Sequence, residues 1–214
     1  MSEKKTNRSK YRTDQEKFWA LEYSSEYIQK NRFFNLEKGV EAWKKMLATT
    51  KSIDSMLECG CNIGRNIKFL NEAYPWTKKS VIEISKEAYD FATTNMKLEH
   101  SFNGSIIESD FGGETFDLVF TMGVLIHLHP DELKENVKKI IGHSKKYILI
   151  GEYFNRSPIM VEYQGQKDKL FKRDFGKFFI ENFDLNVIDY GFLWGHIYDE
   201  AGFDDITWWL FEKR

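Results

Sequence analysis

The chain has only two cysteines and three prolines in 214 residues, and no apolar run approaches the length of a membrane-spanning helix. Cys59 and Cys61 stand two apart, a spacing that does not readily close a disulfide. With no other cysteine there is no zinc set either, so metal binding is not expected. The pair reads as small, turn-lining residues of a protein in a reducing compartment. Neither sign of charge is in excess. A formal net charge of -2 lacks the basic surplus that non-specific nucleic-acid binding requires. The opening Met1-Ser2-Glu3-Lys4-Lys5-Thr6 has no signal-peptide pattern. These deficits predict a cytoplasmic protein with neither a membrane nor a nucleic acid as partner. Hydrophobic residues at 42% and aromatics at 16% suffice for a full-sized core in one domain.

Residues 1–12 are polar and lysine-rich and read as a flexible arm before a single domain, 13–214. Phe18, Trp19, Leu21, Tyr23 and Tyr27 fall near helical spacing, and Leu36–Thr49 repeats the pattern with Val40, Trp43 and Leu47. Residues 13–50 are thus a helical cap ahead of the first clear strand. Strands and helices then alternate: strands at Ser52–Cys59, Lys79–Ile84, within Ser101–Ser109, at Phe116–Met122 and at Lys146–Gly151, helices at Gly64–Ala73, Lys86–Asn95 and Pro130–Ile141. That order predicts an α/β, Rossmann-like, doubly wound sheet that is mostly parallel. Residues 153–175 hold Pro158 and Gly165 without a clear period in Tyr153–Lys169, and read as an irregular excursion on the substrate side. A helix at Arg173–Asn182 and strands at Leu185–Tyr190 and Asp205–Phe211 complete the chain.

The most informative stretch is Met56-Leu57-Glu58-Cys59-Gly60-Cys61-Asn62-Ile63-Gly64-Arg65-Asn66. An apolar strand ends in an acid, a glycine turn follows, and a helix begins. Such a turn lets a ligand lie against bare backbone near a helix N-terminus with free N–H groups. Its spacing, Glu-x-Gly-x-Asn-x-Gly, is not the dinucleotide Gly-x-Gly-x-x-Gly. Asn62 suits a position of positive φ. Glu83 ends the second strand about 20 residues further on, where a carboxylate accepts from both ribose hydroxyls. His127 and His129 follow the fourth strand, at the sheet edge where α/β proteins bind ligands. His127 is suited to take a proton from an acceptor hydroxyl or amine, or to touch substrate, or it is a packing residue. Lys167–Asp174 is locally basic, with Arg156 upstream, and reads either as an anion-binding surface or as a solvated helix start.

The turn at Glu58–Gly64 and the run Phe116-Asp117-Leu118-Val119-Phe120-Thr121-Met122-Gly123-Val124-Leu125 resemble the first and fourth motifs of class I S-adenosylmethionine (SAM) methyltransferases. Gln15-Glu16-Lys17-Phe18-Trp19, Glu152-Tyr153-Phe154, Tyr163-Gln164-Gly165, Asp168–Phe175 and Asp204–Trp208 extend the likeness to the methylases associated with pseudaminic acid biosynthesis. The resemblance implies a seven-stranded sheet with an antiparallel last strand. It implies SAM as cofactor, held by Glu58, Gly60, Cys61, Asn62, Gly64, Glu83, Ile84, Thr121, Met122, Gly123 and Trp19. It also implies that Asp110 takes the adenine amino group, with Phe111 or Ile84 on the ring. On this reading Tyr27, His127, Tyr153, Arg156, Tyr163, Lys169 and Arg173 meet a small-molecule acceptor, and His127 is the catalytic candidate. The implied reaction is methyl transfer to O or N of a sugar, a sugar nucleotide or a carboxylate. A SAM-binding protein without catalysis and a nicotinamide-dependent oxidoreductase are the alternatives.

Overall fold

The computed structural model describes residues 11–22, 28–29, 32–163 and 165–214. Residues 1–10 of the N-terminal arm, and Tyr23 and Tyr27, lie outside the described residues. Seven strands form one sheet: β1 (Ser55–Cys59), β2 (Lys78–Glu83), β3 (His100–Asn103), β4 (Phe116–Met122), β5 (Ser144–Glu152), β8 (Leu185–Leu193) and β9 (Ile206–Lys213). Their order is β3-β2-β1-β4-β5-β9-β8. β1 pairs in parallel with β2 and β4, β2 with β3, and β4 with β5, while β9 runs antiparallel to both β5 and β8. The direction of winding therefore reverses between β1 and β4, which opens a crevice at their carboxyl ends.

Side chains of each central strand alternate between two cores, as a sheet covered on both faces requires. Met56, Val81, Leu118, Phe120, Leu149 and Leu210 bury one face under α2 (Leu36–Met46) and α3 (Arg65–Ala73). Leu57, Ile82, Val119, Ile148, Ile150 and Phe211 bury the other under α5 (Pro130–His143) and α6 (Phe175–Asn182). Helix starts are chemically marked. The side chains of Asn35, Ser85, His129 and Asp174 accept from main-chain N–H groups at the starts of α2, α4 (Lys86–Asn95), α5 and α6. Among the helices α2 to α6 the start of α3 is the exception: Gly64, at φ 76°, is its cap and offers no side-chain acceptor.

Before the sheet, α1 (Asp14–Lys17) runs directly into a π-helical turn at Phe18–Glu22. Within the expected cap, α2 is anchored by Trp43, which is fully buried, packs on Phe120 with ring centroids 4.7 Å apart and donates to Asn66 at 3.4 Å.

The segment expected to be irregular is instead a hairpin, β6 (Ile159–Tyr163) and β7 (Gln166–Lys172), turning at Gly165 with φ 70°. Its inward residues, Val161, Tyr163 and Leu170, reach one core, whereas Ile159 and Met160 are exposed. Five-residue alternation with apolar groups on both faces carries little period, which is why the sequence did not reveal it. The basic run at Lys167–Asp174 is accordingly mostly strand, with the helix beginning at Phe175. Beyond β8, a short α7 (Gly195–Tyr198) and a 3-10 turn lead into β9. Removing the Trp43 ring should destabilise the fold by about 3–5 kcal/mol, the usual cost of emptying a buried tryptophan site, measured by denaturant unfolding of Trp43→Ala.

Candidate active site

One deep cavity lies at the carboxyl ends of β1, β2 and β4, with residues 13–19 over it. Its floor is the β1–α3 turn. Gly60, Asn62 and Gly64 all have positive φ, at 80°, 49° and 76°, and Asn62 is the one non-glycine residue in that region among the described residues. Its short side chain accepts from the Ile63 N–H at 2.7 Å, which offsets part of the strain. The two glycines answer to packing as well as to a ligand. A Cβ at Gly60 would press on Val124, 2.7 Å away, and one at Gly64 would overlap Met96.

Two carboxylates stand at or next to the ends of the strands beside this turn. Glu83, at the end of β2, accepts from the main-chain N–H of Asn62 at 2.7 Å and of Ser85 at 2.8 Å. Each oxygen keeps a second lone pair, so the group is fixed and still able to accept from a diol. Glu58 ends the apolar run of β1 and is 1% exposed. One oxygen accepts from Asn66 at 2.7 Å, while Oε2 is buried without a hydrogen-bond partner among the described residues. Burial raises its pKa to about 8, against the lowering pull of Asn66 and Arg65. An unsatisfied carboxylate oxygen in a cavity wall is a vacancy for a donor.

The far wall follows β4. Gly123 has φ 67° and no atom within 4 Å of where a Cβ would stand, so its backbone is open to close approach. A 3-10 turn, Leu125–His127, comes next. The His127 Nδ1 lies 2.8 Å from the Lys169 carbonyl oxygen, so Nδ1 carries the proton and Nε2 the lone pair. Burial lowers the His127 pKa to about 4, partly countered by that hydrogen bond; the ring is neutral at pH 7. Trp19 packs on it with centroids 4.4 Å apart, and Tyr163 at 5.3 Å. The helix that carries Trp19 and the hairpin that carries Tyr163 thus meet at one imidazole.

Of the residues expected from sequence, Trp19, Glu58, Gly60, Cys61, Asn62, Glu83, Ile84, Met122, Gly123 and His127 line the cavity. Gly64 does not line it. Thr121 is fully buried and donates to Glu152 at 3.2 Å, so it does not line the cavity. Asp110 is exposed and accepts from the Gly112 N–H at 2.9 Å, forming its own turn. Phe111 packs on Phe102, Phe116 and His143 away from the cavity. Gly104, Ser105 and Ile106, directly after β3, stand in the wall where those two were expected. The strand ends six residues before Ser109, and the loop turns Asp110 outward.

The basic residues also depart from expectation. Arg156 is exposed, and Arg173 lies over Phe175 and Phe178 outside the cavity. Lys169 meets His127 through its carbonyl oxygen, and its ammonium lies over Phe18 in a shallower neighbouring cavity. Tyr153 donates to Asp204 at 2.7 Å instead of facing the cavity. Residues that sequence reasoning passed over include Arg65, Asn66, Ser105, Glu16, Glu132 and Asn136, all of which line the cavity. Glu152 was also missed, although Ile148-Leu149-Ile150-Gly151-Glu152 repeats the apolar-strand-then-acid pattern of β1. Cys59 and Cys61 are buried free thiols whose pKa values burial raises, consistent with packing roles.

Residues 56–146, from β1 into β5, match the family model described as a methyltransferase domain. A SAM-dependent methyltransferase of Leishmania major superposes with a TM-score of 0.66 at 15% identity, covering 88% of this chain and 82% of that one. A sugar N-methyltransferase of Streptoalloteichus gives 0.65 at 13% identity, covering 89% and 92%. An amino pentose methyltransferase of Micromonospora echinaspora gives 0.63 at 11% identity, covering 89% and 96%. No curated protein matches the chain significantly. The match covers residues 56–146, and the chain as a whole has the Rossmann-like fold of these SAM-dependent methyltransferases. The cofactor of that class is S-adenosylmethionine.

The residues present fit that cofactor. Glu83 offers acceptors for a ribose diol, the orphaned Glu58 oxygen an acceptor for an ammonium, and Gly123 an open backbone beside them. If Glu58 takes the ammonium of the methionyl group, it must ionise on binding. Calorimetry with S-adenosylhomocysteine near pH 7, in buffers of different ionisation heat, should then show proton release. Glu58→Gln should abolish that release and weaken binding by about 10- to 100-fold, the worth of a hydrogen bond between charged groups. Equal heats in all buffers would contradict this role.

Proposed function

We propose that the chain transfers the methyl group of SAM to the nitrogen of a small-molecule amine. The observation that carries the choice of nitrogen is the state of His127. Its Nε2 has a lone pair, yet its conjugate acid has a pKa of about 4, so it is too weak a base to strip a sugar hydroxyl. An amine brings its own lone pair and needs only to be held and aimed. Nε2 accepts the amine N–H and points the nitrogen lone pair at the methyl group. Trp19 lines the cavity beside His127, and Tyr163, which does not line it, packs on both rings.

When bound, SAM would supply a methyl group on a positively charged sulfur, and that sulfur would keep the C–S electron pair as the acceptor nitrogen took the methyl group. The chain contributes position. Glu83 holds the ribose, Glu58 and Arg65 hold the ammonium and carboxylate, and residues 13–19 exclude water. Residues from the start of the chain and from the sheet line one cavity, which supports 13–214 acting as one catalytic unit.

Two structural neighbours are described as acting on a sugar nitrogen or an amino pentose. Together with the likeness to pseudaminic-acid-associated methylases, they favour an amino sugar as acceptor. The basic residues once expected to hold an acidic acceptor do not line this cavity, so acidity is not part of the reading. Two buried free thiols suit a cytoplasmic setting.

The test is transfer of labelled methyl from SAM to paired acceptors, amino sugars and their hydroxyl counterparts. Label is expected in the amines, with a rate that rises with pH as the amine loses its proton and with no histidine step near pH 6.5. His127→Ala should lower turnover about 10- to 100-fold while sparing S-adenosylhomocysteine affinity. Label in the hydroxyl compounds alone would overturn the choice of nitrogen.

A further inference from the structure

Glu152 closes β5 with its carboxylate fully buried, and no substrate-facing role accounts for it. Four donors converge on it. Thr121 Oγ1 and the main-chain N–H groups of Val124 and Leu125 reach Oε1 at 3.2, 3.2 and 3.0 Å, and the Ile126 N–H reaches Oε2 at 3.2 Å. Three consecutive N–H groups gathered by one carboxylate are the start of the turn that carries His127. The His127 N–H then closes that turn on the Val124 carbonyl at 3.0 Å. On the other side, Val124 packs directly over Gly60 in the β1–α3 turn. One side chain therefore ties the wall bearing His127 to β5, while the residue it holds rests on the cofactor turn.

We propose that Glu152 is a positioning residue, which fixes the 124–127 turn so that His127 is held at a set orientation between the cofactor turn and the Lys169 carbonyl. This rests on the role given to His127 above. Glutamine cannot replace the carboxylate without loss. Its oxygen can still accept, but its NH2 group faces an N–H donor, so at least one of the four donors goes unmet. The turn then loosens, and the Nδ1–H bond to Lys169 is no longer enforced. Glu152 touches neither amine nor methyl group on this account; it acts through His127.

The experiment is nitrogen NMR of the histidine rings at about pH 8.5, where Glu152, whose pKa burial raises to about 7, is ionised, in the ligand-free full chain, with the His127 signals assigned by their loss in His127→Gln. The wild type should show one tautomer at His127, protonated at Nδ1 and bare at Nε2. E152Q should move both nitrogen signals toward the average of the two tautomers, and hydrogen exchange at Leu125 and Ile126 should speed at least tenfold. If E152Q does not fold, Glu152→Asp keeps the charge and withdraws it by one methylene, and the same averaged signals are expected. An unaltered Nδ1-protonated tautomer in a folded variant would overturn the proposal. S-adenosylhomocysteine calorimetry on the wild type separates the two failures: no binding sinks the methyltransferase reading, whereas the tautomer tests Glu152 alone.

Discussion

A carboxylate buried at the end of a β-strand must be met by donors or lose its charge, and the carboxyl edge of this sheet holds three of them. Glu58 is the penultimate residue of β1, and Glu83 and Glu152 end β2 and β5. Glu83 and Glu152 are met mainly by main-chain N–H groups of neighbouring turns, which freezes the conformations of those turns. Glu58 is met on one oxygen only. The edge is thus rigid where two carboxylates are satisfied and receptive where the third is not. Burial raises all three pKa values, to about 8 for Glu58 and about 7 for Glu152. Those shifts mark stability given up in the ligand-free protein as pH rises from about 4.5 through these values, since the folded state holds protons the unfolded chain has released.

The winding of the sheet gives this edge its shape. Because α3 and α5 leave β1 and β4 toward opposite faces, the crevice between them is open, and the glycine turn and the 3-10 turn face one another across it. No side chain caps α3, so its first N–H groups and positive dipole end remain available on the same side. Across the crevice, the imidazole of His127 is kept neutral by desolvation and is oriented by a carbonyl from the β6–β7 hairpin. The hairpin therefore meets His127 through the Lys169 carbonyl and the Tyr163 ring, while the Lys169 ammonium lies over Phe18.

Much of this was legible in the sequence, for identifiable reasons. Strands buried on both faces are continuous apolar runs, so Phe116–Met122 was found to the residue and β1, β2 and β5 to within three. Asn62 at positive φ and Glu83 at the end of β2 follow from local chain chemistry, which a motif encodes directly. Asp110 and Phe111 were misplaced because β3 is only four residues long and the loop after it has no periodic mark. Arg173 and Lys169 were misread because charge type does not reveal whether a side chain points to a ligand or lies on a phenylalanine ring. Glu152 escaped because its partners are N–H groups of a turn 26–28 residues away, a relation that no sequence spacing displays.

The central claim is that the cavity at the ends of β1, β2 and β4 holds the nucleoside of SAM, with Glu83 on its ribose. The most direct measurement is parallel titration of the wild type and Glu83→Ala with S-adenosylhomocysteine and with NAD. The account predicts one S-adenosylhomocysteine site per chain, weakened at least about tenfold by Glu83→Ala, and no comparable NAD binding. Tight NAD binding without S-adenosylhomocysteine binding, or an affinity indifferent to Glu83, would contradict it.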